Sequence, residues 1–317
     1  MWVYIIRRVL YNIPVFLAIV LLVMVLLRNQ DPVPGLLGKN ATQQEYDSKR
    51  HELGLDRSLL VQYGALLTEI VTFNFDREMW TQSGMTVGEQ LRSAIPTSLA
   101  LTLPALALTT LISICIGMLS AFARGRWLDK TLVFFAVLGM SISFLVYIIF
   151  GQYFGSYQLG RLLGRPIFAI HGYEMGWQNW AYYLLLPVLI SVIVAMGYDT
   201  RFYRAVMVEE TQKDYITTAR AKGASDRKIM FVHMLRNAMI PIITRIMITL
   251  PFLVTGSILL ETFFGIPGMG NVLLTAILNN DFPVVEVFAA IFAGMFIVSI
   301  ILTDVLYALF DPRVRLQ

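Results

Sequence analysis

The feature that most constrains this chain is its series of apolar runs, several of them longer than the roughly 18 residues that mark a membrane span. Residues 9–27, 96–123 and 285–309 are such runs, residues 131–160 contain no charged side chain, and further apolar runs cover 182–198 and 242–260. Hydrocarbon offers no partner to a bare amide, so each run has to close its own backbone hydrogen bonds as a helix. The expectation is an all-α membrane protein with about six transmembrane helices. Composition agrees: 57% of the residues are hydrophobic and only 15% are charged, and the mean hydropathy is +0.66.

The charge pattern orients those helices. Arg7 and Arg8 precede the first run, Arg124, Arg126 and Lys130 follow the second, and Arg201, Arg204, Arg220, Lys222, Arg227, Lys228 and Arg236 cluster within residues 199–241. Lys and Arg concentrate in cytoplasmic segments, which puts both termini and residues 199–241 inside. Residues 29–95, with both signs of charge, and 161–177 fall outside. Trp2, Tyr4, Trp177, Trp180, Tyr182 and Tyr183 suit the membrane–water interface. The first run is too long for a signal-peptide core and lacks a cleavage site, so residues 1–28 read as a retained anchor. An extracytoplasmic region at 29–95, a core at 96–310 and a cytoplasmic tail at 311–317 follow. The single cysteine, Cys115, forms no internal disulfide. The net charge of +4 reflects cytoplasmic loops rather than a nucleic-acid surface. Arg245 is a cation inside an apolar run, about 24 Å of helix from Glu261. With Glu261 at the outer interface, Arg245 is expected near the inner one, snorkelling.

Residues 214–241 form a soluble, basic insert. They read as a helix, a break at Gly223 and a second helix. Arg220 and Lys222 suit the negative end of the first helix dipole. Gly223 offers the left-handed conformation that closes many helices. Ser225 caps the second helix, whose apolar stripe is expected at Ile229, Val232 and Leu235. Tyr215, Ala219 and Gly223 share one face at i, i+4 spacing, small enough at two positions for another backbone to approach.

The string Asp214, Tyr215, Thr218, Ala219, Arg220, Ala221, Lys222 and Gly223, continued by His233, Leu235, Arg236, Asn237, Ala238 and Pro241, resembles the "EAA" coupling loop of ABC importer permeases. It is most similar to the form in the bacterial peptide/nickel importer family, in which the general glutamate is replaced, here by Thr217. Other stretches fit: the paired arginines and Pro14 at the start, Glu52–Asp56 followed by Gln62 and Tyr63, residues 96–99, Arg201 with Arg204 and Glu209, and Asp311-Pro312-Arg313 at the end. Glu261, Phe264, Pro267, Gly268 and Gly270 match an E-x-x-F-x-x-P-G-x-G outer loop, and Asp281 with Pro283 continues it. That loop lacks Lys and Arg, and its glycines and proline predict a tight non-helical path. Three family features are altered: residues 31–35, residues 74–77, and 141–144, where Ser-Ile-Ser-Phe lacks the usual proline.

The resemblance implies the ABC type I importer transmembrane fold and assigns ATPase docking to Asp214, Tyr215, Thr218–Ala224, His233 and Arg236. It makes Glu261, Phe264, Pro267, Gly268, Gly270 and Asp281 outer-loop or gate candidates. It implies a second homologous permease subunit, commonly non-identical, two ABC ATPase subunits that bind ATP and Mg, and an extracytoplasmic solute-binding protein, all at the bacterial inner membrane. Peptides are the commonest cargo of this branch; nickel, glycosides and opines use similar permeases. No metal, cofactor or catalytic site is expected in this chain. Its nearest approach to a phosphate-binding loop, residues 35–40, has two residues between glycines where four are needed. A carboxylate pair of Glu261 and Asp281, an intramembrane Ser141 or Ser143 with His171 or His233, a passive channel and DNA binding by the elbow all fit the pattern less well.

Overall fold

The computed structural model describes residues 2–37, 41–82 and 84–310. The tail at 311–317, with Asp311-Pro312-Arg313, and the end of the 35–40 string lie outside the described residues, as do the side chains of Trp2 and Tyr4. Among the described residues the chain is helical, with one isolated antiparallel bridge between Glu78 and Thr86.

In order, α1 (Trp2–Arg28) is followed by three short helices, α2 (Val33–Leu37), α3 (Gln43–Glu52) and α4 (Leu59–Thr72). Then come α5 (Val87–Phe122), α6 (Trp127–Ser141), α7 (Phe144–Phe150) running through a π-helical Gly151–Gln158 into α8 (Leu159–Leu163), and α9 (Trp180–Thr211). The elbow is α10 (Asp214–Ala221) and α11 (Asp226–Lys228), which passes through a π-helical Ile229–Met234 into α12 (Leu235–Thr255). A hairpin of α13 (Ile258–Phe264) and α14 (Met269–Leu278) precedes α15 (Phe282–Phe310).

Five unbroken helices are long and apolar enough to cross a membrane: Ile6–Arg28, Val87–Phe122, Trp177–Thr211, Asp226–Leu253 and Phe282–Leu306. Two further pairs are bent, α6 against α7–α8 by 90° and α13 against α14 by 84°. The second pair starts and finishes at one end of the bundle. Glu261 within it bonds Ser98 near the start of α5, and Asp281 just after it bonds Thr81. It is therefore a re-entrant hairpin, and with α6–α8 taken as one bent span the described residues make six crossings. Successive helices alternate in direction, and Arg8 on α1 meets Asp304 on α15 at 2.8 Å at the elbow end.

The structure corrects several expectations. The fourth span runs unbroken to Thr211, so Asp199, Arg201 and Arg204 lie on helix rather than in a loop. The fifth span ends at Thr255, where Gly256 turns the chain with φ +71. Only Gly265 to Gly268 of the outer motif is irregular; its flanks are helical, and Gly265 is left-handed. Arg245 does not snorkel. It donates two bonds to Asp199 Oδ1, at 3.0 and 2.8 Å, and stacks over the Phe202 ring. Trp180, at the start of α9, is half-buried and turned onto α5.

That turn onto α5 follows from Pro104. Proline has no N–H, so the carbonyl four residues earlier in α5, that of Ala100, loses its helical partner. The Trp180 indole donates to Ala100 O at 2.9 Å, supplying the missing bond from a neighbouring helix. The 90° break after Ser141 forms without a proline. Ile142 and Ser143 adopt extended conformations there, and the Tyr147 hydroxyl returns across the bend to Gly139 O at 2.9 Å. Near the end of α12, Leu253 O accepts from Thr102 Oγ1 at 2.7 Å.

Backbones approach closely where glycine allows it. A Cβ on Gly117 of α5 would stand 2.9 Å from Arg204 N on α9, and one on Gly197 of α9 would stand 2.8 Å from Ala136 O on α6. Three apolar clusters then form. One gathers α1, α4, the start of α5, α14 and α15; one lies between α5, α7, α9 and α13; and one joins the ends of α5 and α9 to the elbow and the start of α12.

The region after α1 explains its own signature. Arg28 donates to Leu55 O and Arg57 O, Gln62 reads Gly54 O, and the Tyr63 hydroxyl reaches Leu17 O on α1 at 2.8 Å. The altered stretches are anchored too. Asp31 accepts from Val33 N and the Tyr46 hydroxyl, and Arg77 pairs with Glu286 at 3.1 Å and Glu69 at 3.6 Å.

Removing the indole N–H with Trp180→Phe leaves the half-buried Ala100 carbonyl unpaired, which costs about 1 kcal/mol. A thermal-unfolding double-mutant cycle with Pro104→Ala is expected to show most of that cost vanishing when α5 recovers its own bond. Equal costs in both backgrounds would contradict this assignment.

Candidate functional site: the elbow and the buried hairpin knot

The elbow is built by a helix stop and a restart. α10 closes with Ala224 N–H on Ala219 O at 3.1 Å and Gly223 N–H on Arg220 O at 3.0 Å, the paired bonds of a glycine-terminated helix. Gly223 sits at φ +77 with open space where a Cβ would point. Ser225 caps the restart, its side chain accepting from Lys228 N.

Of the expected stripe, Ile229 is buried and Leu235 packs on the same cluster, whereas Val232 is 48% exposed. The wider π-helical turn at Ile229–Met234 sets Met230 and Met234, four residues apart, on the buried side, and α12 continues that side through Ala238 and Ile242.

The face shared by Tyr215, Ala219 and Gly223 is also turned differently. Ala219 and Ile216 are buried against the chain itself, and Tyr215 packs on the cluster formed by Met207, Met234 and Ala238. The Tyr215 hydroxyl donates to the Glu210 carboxylate. Burial, then that acceptor, pushes its ionisation above the usual tyrosine range. Of the docking candidates, Asp214, Thr218, Arg220, Ala221, Lys222, Gly223 and Arg236 are exposed, while Ala224 and His233 are half-buried. His233 and Arg236 line an open groove of about 420 Å³ with Asn237. The elbow therefore presents its basic outer turn with Gly223 and keeps Ile216 and Ala219 for itself.

A bidentate ion pair fixes the helices beneath it. Arg204 on α9 donates Nε to Asp129 Oδ1 at 2.7 Å and Nη2 to Asp129 Oδ2 at 2.8 Å. Ser120 on α5 and the Gly125 amide in the following turn donate to the same carboxylate. One carboxylate at the start of α6 thus ties α5, the α5–α6 turn and α9 together.

At the far end Glu261 is fully buried. Its Oε1 accepts from Ser98 Oγ at 2.7 Å and its Oε2 from Asn271 N at 3.0 Å, while Ser98 Oγ accepts from Met269 N at 2.7 Å. The motif glycines are spaces for this carboxylate. A Cβ on Gly268 would lie 2.4 Å from Glu261 Cδ, and on Gly270 3.0 Å from Oε2. Phe264 is buried in the neighbouring cluster and Pro267 is exposed. Asp281 is buried and bonded to Thr81 N at 2.9 Å and Thr81 Oγ1 at 2.6 Å, clamping the first far-end region to the start of α15. Glu261 and Asp281 are thus spent separately, with no shared acid–base geometry. Ser141 donates to Val137 O, and His171 lies against Phe263 O.

Sequence reasoning assigned no role to Asp129, Thr81 or Asp199, and met Ser98 only within the matched stretch 96–99. Each is a single polar residue whose partner is distant in sequence, so spacing carried no signal.

A helical bundle with several membrane-crossing helices, a basic elbow and a buried re-entrant knot is the architecture of a multi-pass membrane protein. The chain belongs to the family of binding-protein-dependent transport system inner membrane components, whose signature matches residues 113–316. The N-terminal part of such components matches residues 1–88. A probable peptide ABC transporter permease protein of Sinorhizobium fredii is 31% identical over 317 residues, covering 99% of this chain and all of the relative. The glutathione transport system permease protein of Salmonella choleraesuis is 32% identical over 320 residues, covering 98% of each. The protein is accordingly a multi-pass inner-membrane permease of an ABC transporter, working with a binding protein and an ATPase.

Two glycine substitutions separate space from backbone conformation. Gly268→Ala drives a methyl into the Glu261 carboxyl and is expected to abolish accumulation of folded protein in the membrane. Gly223→Ala meets no neighbour and costs only the left-handed strain, about 1 kcal/mol. Size-exclusion profiles of the purified variants check both.

Proposed function

We propose that this chain forms half of the path by which an ATP-driven importer takes up peptides, and that the exposed turn of its elbow docks on the ATPase. The observation that carries the docking is the division of the elbow. Its inner face is packed onto α5, α9 and α12, and its outer turn offers Arg220, Lys222 and Gly223 to a partner. The names of the relatives support peptide cargo over nickel. The positive-inside pattern supports an elbow in the cytoplasm with both termini and a hairpin facing the binding protein. The other half of the path is a second, non-identical permease, and ATP and Mg belong to the ATPase subunits.

In this cycle, ATP-driven closure of the ATPases pulls the elbows together, and the bundle changes between inward-open and outward-open states. The residues of this chain transmit the movement. Ile216 and Ala219 hold α10 on the bundle, and the Asp129–Arg204 pair passes its displacement to α5, α6 and α9.

The test is ATP hydrolysis by the complete complex in lipid, with peptide-loaded binding protein. Loaded receptor is expected to stimulate the wild type, and Arg220→Glu with Lys222→Glu to reduce that stimulation at least about tenfold, equivalent to about 1.4 kcal/mol of coupling. Unchanged stimulation in the double variant would move the ATPase contact elsewhere, and the absence of any peptide effect on the wild type would refute peptide cargo.

A further inference from the structure

A groove of about 340 Å³ runs along the bundle between α5, α9 and α12. Leu106, Phe144 and Val194 make much of its lining apolar, and Thr109, Ser191, Thr249 and Ser257 set hydroxyls along it. Ser257 adjoins the Glu261 knot at one end. Asp199 and Arg245 lie further toward the elbow, about 28 Å along α9 from Trp180 at 1.5 Å per residue.

This ion pair faces the groove. Asp199 is 7% exposed, and the Arg245 side chain keeps 35% of its surface open. A charged pair open to hydrocarbon is costly, so intramembrane charges face protein or a water-filled space. Arg245 directs two donors at a single oxygen of Asp199, leaving guanidinium N–H groups for another acceptor. Its position over Phe202 steadies the arginine from the side.

We infer that this groove is the chain's share of the passage and that Asp199 and Arg245 read the charged termini of a zwitterionic peptide. The inference deepens the peptide reading above and rests on it. A free peptide carries a carboxylate and an ammonium group. The carboxylate fits the open side of the Arg245 guanidinium and competes with Asp199 for it. The ammonium then compensates the released Asp199. When no cargo is present the two residues neutralise each other, so the groove holds no uncompensated charge.

Two readouts test this in the full complex reconstituted in lipid. In a Cys115→Ala background, Ser191→Cys and Thr249→Cys are expected to react with a membrane-impermeant thiosulfonate, and Leu111→Cys, on the exposed apolar face of α5, to stay unlabelled. Unreactive groove cysteines would overturn the passage assignment. Uptake of trialanine and of its C-terminal amide is then compared at saturating loaded receptor, so that receptor affinity cancels. The wild type is expected to move the free acid at least about tenfold faster, as a site built to bond a group rejects the analogue lacking it. Arg245→Gln is expected to slow the acid to the rate of the amide.

An equal loss for both cargoes, or an unaltered ratio, would show a purely structural pair. Where Arg245→Gln alone fails to assemble, Asp199→Asn with Arg245→Gln removes both charges and carries the same expectation. A wild type that moves neither cargo refutes the peptide reading and this inference with it; a wild type that moves both, with the ratio kept in the variant, refutes this inference alone.

Discussion

Inside a bilayer, a polar group that leaves its helix must find a partner within the protein, and this chain breaks its helices repeatedly. Three of these places have a partner from another element. Pro104 frees the Ala100 carbonyl and Trp180 bonds it; the bend after Ser141 is bridged by Tyr147; Leu253 O near the end of α12 is met by Thr102. An unmade bond in hydrocarbon costs several kcal/mol, so these side chains allow irregular geometry that a bare bundle could not hold. The same rule governs the carboxylates. Glu261, Asp129 and Asp281 are buried, and each is bonded to groups from other elements.

The clamps divide the molecule into two ends. At the elbow end the Asp129–Arg204 pair and the methionine-rich cluster bind α10, α5, α6 and α9 into one body. At the far end the Glu261 knot holds the re-entrant hairpin on α5, and Asp281 holds the first far-end region on the hairpin's exit. Pro104, Pro187, Pro251 and the 90° bend after Ser141 interrupt the helices that join them, and Gly256 turns α12 into α13 beside Glu261. Packed, clamped ends joined by kinked segments suit a subunit that passes a displacement along its length, because packed interfaces move as bodies rather than deform continuously.

The sequence was legible where a property is local. Apolar run length predicted six crossings, and the stop at Gly223 and the cap at Ser225 lie where residue chemistry placed them. The glycines around Glu261 were visible as a motif, but their role was not. They are empty because the carboxylate occupies the space, and Ser98, one partner of that carboxylate, lies 163 residues away. Asp129 with Arg204, 75 residues apart, and Asp199 with Arg245, 46 apart, were hidden for the same reason. Arg245 suited snorkelling only while its partner was unknown. On the second elbow helix Ile229 and Leu235 lie on the packed side as their spacing predicts, while Val232 does not, within a π-helical turn that changes the period. The 90° bend at Ser141 formed without the proline that would have announced it.

Rigidity of the elbow on its helices is the claim on which force transfer depends. It is tested by an electron-spin distance between labels at Lys222→Cys on the elbow and Ile193→Cys on α9, in a Cys115→Ala background, with the ATPase-bound complex cycling in lipid. The account predicts the same distance with and without ATP, since the elbow and α9 travel together. A shift of about 5 Å or more, one helical turn, would show the elbow sliding over α9 and would contradict a transmission carried by the packed face and the Asp129–Arg204 pair.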